Sequence, residues 1–378
     1  MTKTTKGNGV DGRRRLIGQA ALGSAAVATG VLAMPNVSRA QTQVLRFQST
    51  WPQRDIFHEY AGDYVRRVNE MSGGRLRLEL LAAGSVVGAF QLLDAVSAGT
   101  LDGGHGVTGY WFGKNKAFSL FGTSPPWFGD ANQLLGWYHY GGGEALYKEL
   151  TQDILKVNTV GFLTGPMPSQ PLGWFKNPIE RPEQLAGLKY RTIGLAADMF
   201  AELGVAVVSL PGGEIVPALE RGVIDGAEFN NPSSDRVLGF PDVAKIYMLQ
   251  SYHQATESFE VVFNKTKFDA LSDEQKAVLK YGAESSSADM SWKQQDRYSK
   301  DLAEMAQNSG VRAITTPRPV LEAQLKAWDT VVAKLETDPF FKKVCDSQRA
   351  WCRRVQNFYL RYEVSSVLSF NHFFSRQG

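Results

Sequence analysis

The chain has 378 residues, 43 % hydrophobic and 21 % charged, the composition of a soluble globular protein long enough for two ordinary domains. Its net charge of +3 comes from the first forty residues, which hold six Lys/Arg and one Asp; the remaining 35 basic and 37 acidic residues sum to −2. That balance excludes nucleic acid or an anionic membrane surface as an electrostatic partner.

In chain order, residues 1–40 read as an export signal. A basic start is followed by a weakly apolar, Ala- and Gly-rich stretch from Leu16 to Met34, then Pro35 and the small-residue positions of Ser38-Arg39-Ala40. Arg13-Arg14, followed by Arg15, Leu16 and Ile17, resembles a twin-arginine signal, which implies export in the folded state. "GNGVDG" at 7–12 fits a dinucleotide-binding pattern only as letters, because no strand precedes it. No other stretch approaches membrane length, so the mature chain is expected in the periplasm without membrane insertion.

"VLRFQST" (44–50) alternates as a strand, and "FHEYAGDYVRRVNEM" (57–71) carries apolar residues at helical spacing. "RLRLELL" (75–81) is a second strand, followed by a helix over Phe90–Ala98 and a third strand start. The strand–helix alternation resumes after residue 155, with strands at 157–164 and 172–177 and one running into "LKYRTIG" (188–194). Short helices at 195–204 and 213–222 alternate with strands at 205–210 and 225–230, and a late strand is read over 259–268. Beyond it the chain reads as helical: Ser272 and Gln275 have capping-box spacing, and Leu321, Leu325, Trp328, Val332 and Leu335 recur at helical intervals. Cys345 and Cys352, seven helical residues or about 10 Å apart, cannot bridge within one helix and read as packing residues.

This order gives an α/β fold of two lobes with a cleft between them, hinge strands and a long C-terminal helical region. The expected division is 41–165 plus about 258–315 for lobe I, 166–257 for lobe II and 316–378 for the helical tail. Catalytic motifs are missing from the sequence. No G-x-S-x-G elbow, no H-E-x-x-H and no C-x-x-C pair occurs; His58-Glu59 lacks a second histidine. A hydrolase stays open only as the alternative from a different class.

Arg191, in the middle of "LKYRTIG", is the residue this pattern leaves unexplained, since arginine is rarely buried without a partner. Five stretches bear on it: "GSVVGAFQLLDAVSAGTLDGGHGVTGYWFGK" (84–114), "SQPLGWF" (169–175), "GLKYRTIGLAADMFAELG" (187–204), "LPGGEIVPALERGVIDGAEF" (210–229) and "YHQATESFEVVFNK" (252–265). In these the chain resembles the solute-binding subunits of tripartite ATP-independent periplasmic (TRAP) transporters of the DctP type. It is most similar to the branch named for mannitol/chloroaromatic compounds, whose members bind 2-oxo acids or lactate.

The resemblance implies a binding protein, not an enzyme, that captures a small carboxylate and delivers it to TRAP membrane subunits; presentation to a sensor is the alternative. It implies that Arg191 grips the carboxylate as a bidentate fork, and that a Na⁺ or Ca²⁺ ion bridges the ligand through Gln170, Glu228 and the backbone of Phe229. A homodimer through the tail is implied as well. Tyr110 and Trp111, at a glycine-rich strand end, are candidate ligand-wall residues; Gln48, Trp51, Trp174, His253 and Glu257 rank behind them. The family usually follows its glutamate with Trp-Val-Gly-Pro, where this chain has Phe229-Asn230-Asn231-Pro232-Ser233-Ser234-Asp235. That departure suggests a ligand larger or more hydroxylated than pyruvate.

Overall fold

The computed structural model describes residues 42–375, and the expected signal segment lies outside them. Among the described residues, eleven strands numbered in chain order form two mixed sheets. The first holds β1 (Gln43–Ser49), β2 (Leu76–Leu81), β3 (Gly103–Gly106), β4 (Thr159–Met167) and β10 (Glu257–Asn264), in the order β2-β1-β3-β10-β4. The second holds β5 (Gly173–Phe175), β6 (Lys189–Arg191), β7 (Ala206–Val208), β8 (Gly226–Ala227), β9 (Ile246–Leu249) and β11 (Arg312–Thr315), in the order β11-β9-β5-β8-β6-β7.

β1 lies parallel to both β2 and β3, as strand–helix–strand units require, whereas β10 runs antiparallel to β3 and β4 because it returns late from the other sheet. The chain passes to the second sheet at 168–172 and back at 250–256. It crosses a third time through the 36-residue helix Asp273–Asn308, which delivers β11 alongside β9 in the second sheet. The expected division kept residues up to 315 with the first lobe; the pairing of β11 with β9 follows because a parallel partner has to arrive by a long crossover, and the helix supplies it.

Local chemistry sets the ends of these elements. The helix Ile56–Met71 buries Ile56, Phe57, Tyr60, Ala61, Tyr64, Val65 and Val68 along one stripe, and Asp55 caps it by accepting from Phe57 N at 3.1 Å. The long helix opens with the Ser272/Gln275 capping box that its spacing predicts. β10 stops at Asn264, earlier than the expected 268, because the Asn264 side chain accepts from Lys267 N and caps a short helix, Lys265–Asp269. The tail forms helices Arg318–Leu335, Pro339–Tyr362 and Ser366–Phe373, in which both cysteines are buried free thiols. Burial pushes the Cys352 thiol up to about 12. One large apolar cluster runs from Trp51 and Phe57 on the first side to Tyr190, Phe229 and Trp328; a smaller one, around Phe47, Tyr64, Val68 and Phe263, fills the outer face of the first sheet. No helix among the described residues is long and apolar enough to cross a membrane.

Candidate functional site

β6 is a central strand, with Arg191 in register between Val208 of β7 and Ala227 of β8. Its side chain is 1 % exposed, so every donor needs an account. Nε donates to Leu210 O at 2.8 Å; Nη1 donates to Glu228 Oε1 at 2.9 Å and to the Glu228 carbonyl at 3.2 Å. Nη2 has no partner. The fork expected from sequence is therefore mostly committed inside the protein, and a single nitrogen is left to offer. The Phe229 ring lies 5.8 Å from the guanidinium carbon, a further stabilisation of the cation.

A small cavity lies between the two sheets. Trp51, Phe57, Val107 and Tyr110 line it from the first side, Gln170 from the first crossing segment, Glu257 from the start of β10, and Arg191, Ile193, Phe229 and Asn230 from the second side. Its space, measured for the centre of a water-sized sphere, is about 10 Å³, room for roughly one water. Gln170 and Glu257 meet there because the crossing segments run side by side: Gln170 N donates to Gln254 O at 3.0 Å. The Gln170 amide donates through Nε2 to Glu257 Oε2 at 2.5 Å, leaving Gln170 Oε1 buried without a partner. Asn230 Nδ2 donates to the same Glu257 oxygen. Burial pushes the Glu257 carboxyl up to about 8, with the Gln170 hydrogen bond opposing and the Glu228 charge adding to the rise. Glu228 is pushed to about 6 by burial, against the pull of Arg191.

Of the sequence candidates, the structure brings Arg191, Gln170, Phe229, Tyr110, Trp51 and Glu257 to one cavity. Tyr110 sits on a single turn after β3, edge-on to Phe90 at 4.8 Å, and burial raises its hydroxyl pKa. Besides Glu228, four candidates are placed elsewhere, among them His253, whose Nδ1 lies 2.7 Å from Ser251 Oγ. Trp111 does not line the cavity, because its indole donates to the buried Glu260 at 3.1 Å. Trp174 donates to Asp235 at 2.7 Å and stacks on Tyr247. Gln48 holds the 86–87 turn through three backbone hydrogen bonds.

Glu228, expected as the carboxylate of a cation site, pairs with Arg191 in this structure, and Glu257 is the acid on the cavity wall. The signal for Glu257 was in the sequence: "ESFEVVFN" is a wholly buried strand, and an acid in such a strand needs a partner. Of the polar residues in 230–235, only Asn230 lines the cavity; Ser233, Ser234 and Asp235 bond to Asp301, Asp55 and Trp174.

The family model of the bacterial extracellular solute-binding protein, family 7 (DctP), matches residues 47–338. The chain belongs to this family. DctP proteins are periplasmic solute-binding receptors of TRAP transporters, not enzymes. The chain is 30 % identical, over 91 % of its length and 94 % of the relative's, to a monocarboxylate 2-oxoacid-binding periplasmic protein of Nostoc sp.. A TRAP solute-binding protein of Bordetella bronchiseptica is similar in structure, with a TM-score of 0.83, 27 % identity and coverage of 89 % and 98 % of the two chains. That protein is a mixed-occupancy dimer with calcium and picolinate in one site. Another, from Colwellia psychrerythraea, has bound calcium and pyruvate, with a TM-score of 0.81, 27 % identity and coverage of 88 % and 100 %. A third, from Pseudoalteromonas atlantica, has bound sodium and pyruvate, with a TM-score of 0.80, 28 % identity and coverage of 88 % and 100 %.

Proposed function

We propose that this DctP protein captures a small carboxylate of the 2-oxo or 2-hydroxy acid class, held by Arg191 and by a bridging Na⁺ or Ca²⁺ ion. The observation that carries the reading is the pair of buried, unpartnered atoms on one cavity, the donor Arg191 Nη2 and the acceptor Gln170 Oε1, beside the Glu257 carboxylate. The donor waits for an anion. The oxygens wait for a cation.

The donor set fits a hard ion: the Glu257 carboxylate, the Gln170 amide oxygen and the Phe229 main-chain carbonyl are all oxygens. Electrostatics give the cation a reason. Arg191 is one positive charge between two carboxylates, Glu228 and Glu257, and an anionic ligand adds a third negative charge. A cation restores the balance and keeps Glu257 ionised. It also supplies what the committed guanidinium lacks, a hold on a second ligand oxygen. A 2-oxo or 2-hydroxy oxygen beside the carboxylate would complete a five-membered chelate, so that class suits the site. With room for roughly one water, the lobes must part to admit any acid. The closed, loaded form would then deliver its ligand to the TRAP membrane subunits.

Calorimetric titration of the mature chain with pyruvate, lactate and larger hydroxy acids, in Na⁺, Ca²⁺ or chelator, tests this reading. Binding of a short acid that needs the cation, is lost in Arg191→Ala and loses its cation dependence in Glu257→Gln is the expected result. A ligand at a hundred times its Kd would also add about 2.7 kcal/mol to stability. Binding that survives Arg191→Ala unchanged would overturn the assignment.

A second reading concerns assembly. The end of the tail exposes Leu360, Val364, Leu368, Phe370 and Phe374 at 58–89 %, an apolar run that water alone would not favour. We infer that it packs against a second copy of the chain.

A further inference from the structure

The helix Pro232–Leu238 follows directly on the cavity residues Phe229 and Asn230, and it belongs to the second-sheet side. It is gripped from the opposite side. Arg54 and Asp55, consecutive residues at the start of the first-sheet helix Ile56–Met71, take hold of it near both ends: Arg54 Nη2 donates to Leu238 O at 3.1 Å, and Asp55 Oδ1 accepts from Ser234 Oγ at 2.6 Å. The long helix adds Asp301, which accepts from Ser233 Oγ and pairs with Arg236 at 3.0 Å, and Glu304, which pairs with Arg236 at 3.0 Å. Ser233, Ser234 and Asp55 are at most 1 % exposed, so the two serine hydrogen bonds are dry, whereas the Arg54 and Arg236 contacts lie nearer the surface. A line of amides joins the grip to the cavity. Asn231 Nδ2 lies 3.3 Å from Ser234 Oγ and 3.0 Å from Asn230 Oδ1, and Asn230 Nδ2 reaches Glu257.

No strand of one sheet pairs with a strand of the other, so outside the crossing segments closure depends on such side-chain contacts. We propose that Pro232–Leu238 is a closure latch, engaged from the first-sheet side by Arg54 and Asp55, so that residues remote from the ligand set how long it stays bound. The latch rests on the two-lobed capture proposed above. It accounts for the polar residues that replace the family's usual Trp-Val-Gly-Pro: they serve the far side of the helix. Arg54, Asp55 and Ser234 are positioning residues and touch no ligand. Their loss should weaken the closed state without loosening either lobe.

The test compares the wild-type mature chain with Ser234→Ala and with Arg54→Met/Ser234→Ala, both of which leave Asp55 and its helix cap in place. Spin labels at Glu79→Cys and Val223→Cys, exposed positions on the two sides, report the inter-lobe distance with and without pyruvate plus Ca²⁺. The expected result is a smaller short-distance population in both variants and dissociation about tenfold faster. The ligand-free unfolding midpoint should hardly move, which a merely structural role would not allow. Unchanged distance populations and dissociation rate in the variants would overturn the latch, as would a wild type confined to one distance under every condition. If no acid binds the wild type, the capture reading fails, while the ligand-free distance populations still decide the latch.

Discussion

Removing the Arg191 side chain would strand Glu228, which is wholly buried and has the guanidinium as its only charged partner at 2.9 Å. Breaking a buried pair from one side costs about 3–5 kcal/mol, more than most single losses, because the remaining charge stays desolvated. Arg191→Ala is therefore expected to lower the ligand-free stability by about that amount at pH 8. The loss should shrink toward pH 5, where Glu228 takes up a proton, and Arg191→Met/Glu228→Gln should recover most of it. Urea unfolding of the three proteins at both pH values checks this, and an Arg191→Ala protein as stable as wild type would mean the pair is not formed. At this scale the sequence was half legible. The arginine stood out because charge in an apolar strand demands a partner, but the choice between Glu228 and Glu257 was not available from spacing. The nearer acid in sequence is the structural counter-ion, and the acid on the cavity comes from a strand twenty-nine residues further on.

Elements were more legible where one face is buried and less where both are. The helix Ile56–Met71 and the capped start at Ser272 follow the spacing of their apolar residues and caps. The compact stretch from Lys116 to Ile154, three short helical pieces and a π-turn, carries no clear period, because it is enclosed by the first sheet and the tail. Sheet membership of β11 was equally hidden, since strand partners are set by tertiary crossover and not by local pattern. β5 illustrates a constraint that only the pairing shows. Gly173 has φ +117, and a Cβ there would lie within bonding-like distance of the Ala227 carbonyl on the antiparallel neighbour β8. Both the left-handed backbone and the clash fall on the one strand that links the crossing segment to the Trp174 core. Gly173→Ala is expected to destabilise by about 3 kcal/mol or more, with cation-dependent binding lost as Gln170 shifts. Thermal unfolding and titration of this variant check it, and a near-wild-type midpoint would show that β5 can slide.

For the whole molecule, two properties can be read from surface and interior. At the surface, Leu360→Glu/Leu368→Glu alters two side chains that are 82 % and 73 % exposed, so folding of one copy should be untouched. Light scattering should then show the wild type as a dimer and the variant as a monomer; a variant that stays dimeric would move the contact off the tail. In the interior, five acids have raised pKa values, each chiefly from burial: Asp55 and Glu228 at about 6, Asp235 and Glu260 at about 7, and Glu257 at about 8. Between their ordinary values and these, the folded chain holds protons that the unfolded chain has released, so stability falls as pH rises. Two buried histidines act in the opposite sense. His105 and His253 are lowered to about 3, so their contribution grows with pH and is complete above about 6.5, the unfolded value. From pH 6.5 to 8 the acids stand unopposed, with Asp235, Glu260 and Glu257 losing their protons in that window. The ligand-free unfolding midpoint is therefore expected to drop across it, since a proton held tenfold more tightly by the folded chain than by the unfolded one is worth about 1.4 kcal/mol. Glu260→Gln isolates one share, because an amide can still accept from one of its two neighbours, Tyr147 and Trp111, without ever ionising. Its midpoint should fall less steeply than wild type between pH 6.5 and 8, and equal slopes would show that Glu260 does not titrate there.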